Sequence, residues 1–490
     1  MTSSKSTKRA LITSALAILM CAAMLIGTTF AWFTDTASTG VNKIVSGNLK
    51  VDIIGADSDS HIEKLNFTKA ATTDAEAGAE ILWEPGCRYL TEGFRIANKG
   101  NLALKWKAQV NTGTTAANEG NFDLLDVIDF YLVTKAADGT ETETALDEFT
   151  GNLKKTETSD VYYIKGVMQT TAGNDYQGLT LDGISITVVA TQDTVESDSF
   201  DNQYDKDAEY PILVTTGDEL QAIVSNATAP VNIVLTNSIT TNNFVIPADK
   251  DVTLDLNGRT VTNAGSHTIL NKGHLTLTDS SADKSGQIIS LKGNTAALRN
   301  GDNAVCVVEG GTISRDGANG NTWHVVENFG KMTFNGGKVV LKNGNGFAIT
   351  NGWNYFDPGA STTHAVMEIN ALELDTDSSG IKNCRYGDLT VNDVTVTSTG
   401  YWALSNDYLG TAVINGGTLT SNSFKAVSNG AAMTVNGGTF DGTQGFFVQS
   451  YATSTVLNGG TFANMNVDAL SSYVGTGHTA QQSGTSVIIK

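Results

Sequence analysis

From about residue 250 onward the chain repeats one phrase. A short run alternates apolar and polar residues, an Asn-Gly-Gly or its equivalent follows, and a second alternating run closes the phrase. The copies are VTLDLNGRTV, VCVVEGGTI, KMTFNGGKV, TAVINGGTL, MTVNGGTF and TVLNGGTF, with looser versions LTLTDSSADKSGQI, MEINALEL and LTVNDVTV. The aligned turn positions are Asn257, Thr278, Glu309, Asn335, Asn370, Asn392, Asn415, Asn436 and Asn458, and the last four steps are 22, 23, 21 and 22 residues. A strand, a glycine corner, a strand and a return of about a dozen residues describe one coil of a parallel β-helix. Met433, Val435 and Phe440 are expected to fill its interior, while corner glycines turn without steric cost. Trp323, Phe347, Trp402, Phe424 and Phe446 each open a return strand (WHVV, FAIT, WALS, FKAV, FFVQ). The last three are 22 apart, so they are expected to stack coil on coil, and the corner asparagines to bond in a ladder. Upstream, Thr216 is placed to cap a short helix over Thr215–Ala227 that buries Leu220, Ile223 and Val224 and covers the end of the coils. The terminal TSVIIK reads as a closing strand.

Before the repeats the alternation is that of separate short strands: Gly47–Ile54, Phe94–Asn98, Leu102–Val110, Phe130–Thr134, Val161–Met168 and Ile184–Ala190, with one helical patch at Asn121–Val127. Asp138-Gly139 and Asn98-Lys99-Gly100 are turn signals. This spacing predicts a β-sandwich for residues 32–195. Residues 196–210 read as an acidic linker, within a polar stretch that carries Asp193, Glu196, Asp198, Asp201, Asp205 and Asp207. A loose calcium site is its sharper alternative, although the spacing lacks the glycine and glutamate of an EF-hand loop. The fold class is therefore all-β: a jelly-roll or β-sandwich domain, then a right-handed parallel β-helix over 211–490.

The first 31 residues follow a third pattern. Lys8 and Arg9 precede an uncharged apolar run, Ala10–Ile26, and small residues close it at Thr29 and Ala31. A basic start, an apolar middle and a small-x-small exit are those of a secretory signal peptide, cut between Ala31 and Trp32. Two alternatives are weaker. The run is at the short edge for a retained membrane anchor, and Cys21 as a lipid site has Met20 where a small residue is needed.

GTTFAWFTD at the end of that leader, with VSGNLKVDI about ten residues on, resembles the TasA/camelysin family of secreted matrix and surface proteins of Gram-positive bacteria. LWEPGCRYLTEGFRIANKGNLALKWK at Leu82–Lys107 matches its pattern too, so the resemblance spans residues 1 to about 205. It implies a jelly roll, removal of the leader by a SipW-type signal peptidase, and assembly into fibres by giving the N-terminal strand to the next subunit. The residues that would be donated are Trp32, Phe33, Val41, Ile44 and Val45; the alternative is that they form the first strand of their own domain. Camelysin-type relatives have been classed as metallopeptidases, but the His-Glu-x-x-His needed to hold zinc is absent, and His61 is the only histidine before His267. The repeat region resembles the pectate-lyase-like right-handed β-helix superfamily, a resemblance of fold.

Charge and cysteine narrow the function. The chain has 490 residues and a formal net charge of −20; without Lys5, Lys8 and Arg9 the mature chain has 28 basic and 51 acidic residues, net −23. That balance excludes nucleic acid as a partner. Cys87, Cys306 and Cys384 are widely spaced and odd in number, which points to buried thiols rather than a disulfide framework, although Cys306 and Cys384 could pair. No cofactor is implied beyond calcium. Two repeat intervals exceed a 22-residue coil, by about 9 residues between Thr278 and Glu309 and by about 13 between Asn335 and Asn370. The second contains GWNYFDPGASTT. Trp353, Tyr355, Phe356 and Asp357 there are suited to stack on a sugar and bond its hydroxyls, extended by Tyr401 and Tyr408; the alternative is a packed loop. For catalysis the candidates are Arg299, Asp302, Arg315 and Asp316, with Asp375 and Asp377, and no family motif joins them. The expectation is a secreted, non-enzymatic adhesin or biofilm-matrix protein, extracellular or at the cell surface, whose partners are its own kind and cell-wall or host glycans. An extracellular polysaccharide-binding or polysaccharide-cleaving lyase or hydrolase is the alternative.

Overall fold

The computed structural model describes residues 49–62, 65–68, 83–112, 114–115, 122–146, 149–182, 184–193, 209–316, 323–344, 346–353 and 363–490. The cleavage site at Ala31 and Trp32, the donated segment and most of the acidic linker lie outside them. The described residues belong to one compact unit.

Ahead of the repeats, a pair of antiparallel sheets shares one core. One has seven strands, with Tyr162–Met168 paired to Arg88–Thr91, Phe94–Asn98 and Ile128–Lys135. The other runs Ser185–Gln192, Leu104–Asn111, Phe149–Leu153. Phe94, Ile96 and Ile164 of the first meet Leu104, Trp106 and Leu153 of the second, all buried. The predicted strands occur to within a few residues. The predicted helical patch is a single 3-10 turn, Leu124–Asp126, because Asp123 caps it by accepting from Leu125 N at 2.9 Å and Val127 then enters the next strand.

From Ile212 the chain winds into a parallel β-helix of about ten turns. Three sheets make its faces. Sheet I starts at Ile212–Val214 and ends at Ser454–Leu457; sheet II starts at Ile239–Thr241; sheet III runs from Val245–Ile246 to Gln444–Val448. The interior registers repeat apolar residues from coil to coil. One interior column of sheet I reads Leu254, Leu277, Val308, Phe334, Ile369, Val391, Ile414, Val435 and Leu457. Its counterpart in sheet III reads Leu298, Val326, Ile349, Ile381, Leu404, Val427 and Phe446. Such like-on-like columns give a continuous apolar core that no single coil could bury alone.

The helix Gly217–Asn226 covers the first coil, with Thr216 Oγ1 accepting from Glu219 N and with Leu220 and Val224 buried. At the other end Ser486–Ile489 turns back antiparallel on Gly460–Phe462. The corner asparagines form the expected ladder: Asn335 donates to Glu309, Asn370 to Asn335, and so through Asn392, Asn415 and Asn436 to Asn458, at 2.7–2.9 Å. A second ladder lies inside, where the repeat phrase gave no sign of one. Asn271, Asn300, Asn328, Asn351, Asn383, Asn406 and Asn429, fully buried at the ends of the sheet III strands, are joined side chain to side chain at 2.8–2.9 Å. They satisfy the carbonyls of the turn from sheet III to sheet I, which a dry interior would otherwise leave unpaired.

One expectation is corrected. Phe446 does not stack on Phe424. The coil between them is short, so Phe446 pairs with Val427 and points inward against Phe440 and Phe462, while Phe424 stacks on Tyr401 at 4.5 Å and 10°. The expectation of buried thiols holds for Cys306 and Cys384, which are both buried and unpaired, and desolvation pushes each up to about 12.

Candidate functional site

Sheet III differs from its neighbours on its outer face. Between the buried columns at Val326 and Asn328 the strands alternate outward, giving the in-register row Leu270, Arg299, Glu327, Thr350, Lys382, Ser405, Ser428 and Phe447. Aromatic rings stand at both ends of these strands. At the corner entering sheet III are His324, Phe347, Tyr401, Trp402 and Phe424; at the corner leaving it are Phe329, Trp353 and Tyr386. Cations lie on the rings: Arg299 over Phe329 at 4.5 Å, Lys382 over Phe347 at 5.0 Å, Lys425 over Phe447 at 3.2 Å. Phe329 in turn packs on Trp353 at 4.5 Å.

The centre of the row is an ionic cluster. Glu327, 4% exposed, accepts from Arg299 Nη1 at 2.9 Å. Burial raises its carboxyl from the usual range, and Arg299 and Arg315 oppose that rise. Arg315 is 1% exposed; desolvation pushes its guanidinium down to about 10, with Glu327 opposing. His324 is held near 4 by desolvation, with Lys382 and Arg315 adding to the effect, and its Nδ1 accepts from Phe347 N at 3.1 Å, which requires a neutral ring. Further along, Lys382 pairs with Asp407 at 2.9 Å.

Of the predicted catalytic residues, Arg299 and Arg315 come together here. Asp302 is close enough to Arg299 to be influenced by it, and burial raises its carboxyl. Asp316 ends the strand Thr312–Asp316. Asp375 and Asp377 lie elsewhere: Asp375 pairs with Lys342 at 2.9 Å on sheet II, and Asp377 accepts from Asn343 N. Of the predicted glycan residues, Trp353 sits at the rim, its N bonded to Arg385 O, and Tyr401 and Tyr408 are 43% and 50% exposed. Tyr355, Phe356 and Asp357 lie outside the described residues. Sequence reasoning missed Glu327 and Lys382. Their signal was the recurring x-Asn that ends each sheet III strand (VEN, ITN, IKN, LSN, VSN), which marks the residue before it as outward-facing. Among the described residues no three His, Cys, Asp or Glu side chains converge closely enough to hold a metal ion, and no helix is long and apolar enough to cross a membrane.

No family model and no curated protein matches the chain. One solved structure, the catalytic domain of a GH87 alpha-1,3-glucanase in complex with tetrasaccharides, aligns with 83% of this chain and 99% of its own at 11% identity and a TM-score of 0.19. The fold assignment rests on the strand pairing.

Proposed function

We propose that this protein binds an extracellular polysaccharide along the outer face of sheet III, as an adhesive or matrix component. The observation that carries the reading is the outer row of sheet III with aromatic rings at both corners: its part-exposed cations Arg299 and Lys382 lie beside Phe329 and Phe347, while Glu327, Thr350, Ser405 and Ser428 between them are buried, in a chain whose net charge is −20. Rings stack on the apolar faces of sugars, and the part-exposed cations bond their hydroxyls. The parallel stack of Tyr401 on Phe424 presents a flat, exposed platform at one rim. Affinity electrophoresis of the purified protein in gels containing a panel of neutral and acidic polysaccharides tests it. Retardation by at least one, weakened roughly fivefold or more by Tyr401→Ala or Trp353→Ala with an unchanged melting temperature, is expected. No retardation by any of them would remove the reading.

Cleavage is a second reading, favoured by Glu327. A buried carboxyl with a raised pKa is suited to act as a general acid, and Asp302 is the candidate for the second carboxyl that hydrolysis needs. Release of reducing ends by the wild type and its loss in Glu327→Gln would establish it; retention of intact polymer would leave binding alone.

The N-terminal domain is proposed to serve assembly, as a TasA-like jelly roll that is exported through its leader and donates Trp32, Phe33, Val41, Ile44 and Val45 to a neighbouring subunit. Its partners would then be a SipW-type signal peptidase and further copies or related matrix subunits.

A further inference from the structure

Both asparagine ladders contain Asn-Gly peptide bonds, in which the nitrogen that follows the asparagine carries no side chain to shield it. The fold sorts these bonds into two sets. At the outer corner Asn335-Gly336, Asn415-Gly416 and Asn436-Gly437 have exposed asparagines and half-buried glycines. Their side chains bond along the ladder, and the backbone N–H of Gly336, Gly416 and Gly437 donates to nothing among the described residues. At the inner corner Asn300-Gly301, Asn351-Gly352 and Asn429-Gly430 have fully buried asparagines. There the glycine N–H is spent on the coil before: Gly301 donates to Asn271 O at 2.8 Å, Gly352 to Asn328 O at 2.9 Å and Gly430 to Asn406 O at 2.7 Å. The inner amides also hold main-chain carbonyls, Asn300 that of Lys331 at 3.0 Å, Asn351 that of Asp388 at 3.2 Å and Asn429 that of Ser454 at 2.9 Å. Asn257-Gly258 resembles the inner set, because Gly258 N donates to Asp279 Oδ1 at 2.9 Å.

We propose that Asn335, Asn415 and Asn436 are sites of spontaneous deamidation, with water as the co-reactant, and that the inner ladder is spared. The glycine nitrogen loses its proton to hydroxide and bonds to the asparagine Cγ; the Cγ–Nδ2 bond breaks, and Nδ2 leaves as ammonia with a proton from water. Water then adds across one of the two C–N bonds of the resulting succinimide. Opening at Cγ gives aspartate, and opening at the main-chain carbonyl gives isoaspartate; no electrons are transferred. The free N–H of Gly336, Gly416 and Gly437 leaves that nitrogen available, whereas the inner glycines must first break their bond to the neighbouring coil, which requires local opening of a buried corner. The products change the outer corner. At Asn415 a carboxylate replaces the amide that donates to Asn392 Oδ1 at 2.7 Å. Isoaspartate also lengthens the main chain by one carbon, at the corner where Gly417 lies too close to Val394 for a side chain. Each event adds one negative charge to a chain of net −20.

The test follows the full chain in mildly alkaline buffer made with heavy-oxygen water, folded in one sample and unfolded in urea in another. Digestion at acid pH and peptide mapping by mass spectrometry, with electron-transfer fragmentation to tell isoaspartate from aspartate, give the extent of reaction at each asparagine over time. The heavy oxygen marks the events that precede digestion. In the folded sample Asn335, Asn415 and Asn436 are expected to react about tenfold or more faster than Asn300, Asn351 and Asn429. In urea the two sets should react alike, because the dipeptide is the same and the fold no longer sorts them. Equal rates for the two sets in the folded chain would overturn the proposal. So would outer asparagines that stay intact when folded and react in urea. Fast reaction at Asn257 in the folded chain would overturn the role given to the glycine N–H.

Discussion

Asn383 and Asn415 are the same residue in two ladders, and burial separates them. Asn383 is fully buried; its Nδ2 donates to Asn406 Oδ1, Gly387 O and Thr411 O, and its Oδ1 accepts from Asn351. Removing it strands polar atoms on three coils with no water to take them, so Asn383→Ala should cost about 2–3 kcal/mol. Asn415, bonded to Asn392 and Asn436 on an exposed corner, can pass its bonds to solvent. Asn415→Ala should cost no more than about 1 kcal/mol. Urea titrations of the two variants beside the wild type check the contrast, and equal losses would refute the assignment of the inner ladder to stability. His324 gives a pH signature. Its pKa in the fold is about 4 against 6.5 for a free ring, so the folded state holds it neutral. The stability tied to it is therefore complete above pH 6.5 and drains away as pH falls to 4, by up to about 3 kcal/mol. His324→Gln, measured by denaturation at pH 7 and pH 4.5, should flatten that slope; an unchanged slope would place the acid sensitivity elsewhere, with His267, also held near 4, as the first alternative.

At the scale of the element, the corner from sheet I to sheet II decides whether coils can stack. Gly417 sits at φ +97°, and a Cβ there would lie 2.6 Å from Val394 O and 2.7 Å from Val394 N of the coil before. Both the dihedral and the approach demand glycine, so Gly417→Ala should lower stability by about 2–3 kcal/mol. Gly139 makes the control: it has φ +84° with nothing within 4 Å of its Cβ, so Gly139→Ala should cost only about 1 kcal/mol. Thermal melts of the pair separate backbone strain from steric contact between coils. The short coil that carries Phe446 makes the same point, since a change in return length moves an aromatic ring from the rim into the core.

At the scale of the molecule, the antiparallel sheets and the β-helix meet through a small set of contacts. Val189, Leu213 and Val234 pack with Tyr210; Asn111 donates to Thr236 O at 3.1 Å, and Arg259 Nη2 to Ser185 Oγ at 3.1 Å. The proposed glycan-binding face lies on the β-helix and the proposed assembly strand precedes the antiparallel sheets, so binding and assembly should separate. Electron microscopy of the protein from Trp32 is expected to show filaments, and a version starting at Asn48 monomers, with glycan retardation the same for both. Monomers from both would remove assembly through the N-terminal strand.

The repeat phrase was enough to predict the β-helix and the outer asparagine ladder, because each coil restates the same alternation and the same corner, and periodicity survives without any knowledge of contacts; the capping helix was legible from Thr216 and the apolar spacing behind it, and the closing strand from TSVIIK. Local chemistry likewise singled out Arg299, Arg315, Trp353 and Tyr401 as candidates, and the structure brings Arg299 and Arg315 together at Glu327. What the sequence could not supply was company. Glu327 and Lys382 join Arg299 in one row only because strands 28, 23 and 32 residues apart are in register, and the inner asparagines meet only because returns of unequal length end at the same corner. Return length, which sets register and therefore which side chains face each other, is decided by the packing of each coil on the one before it.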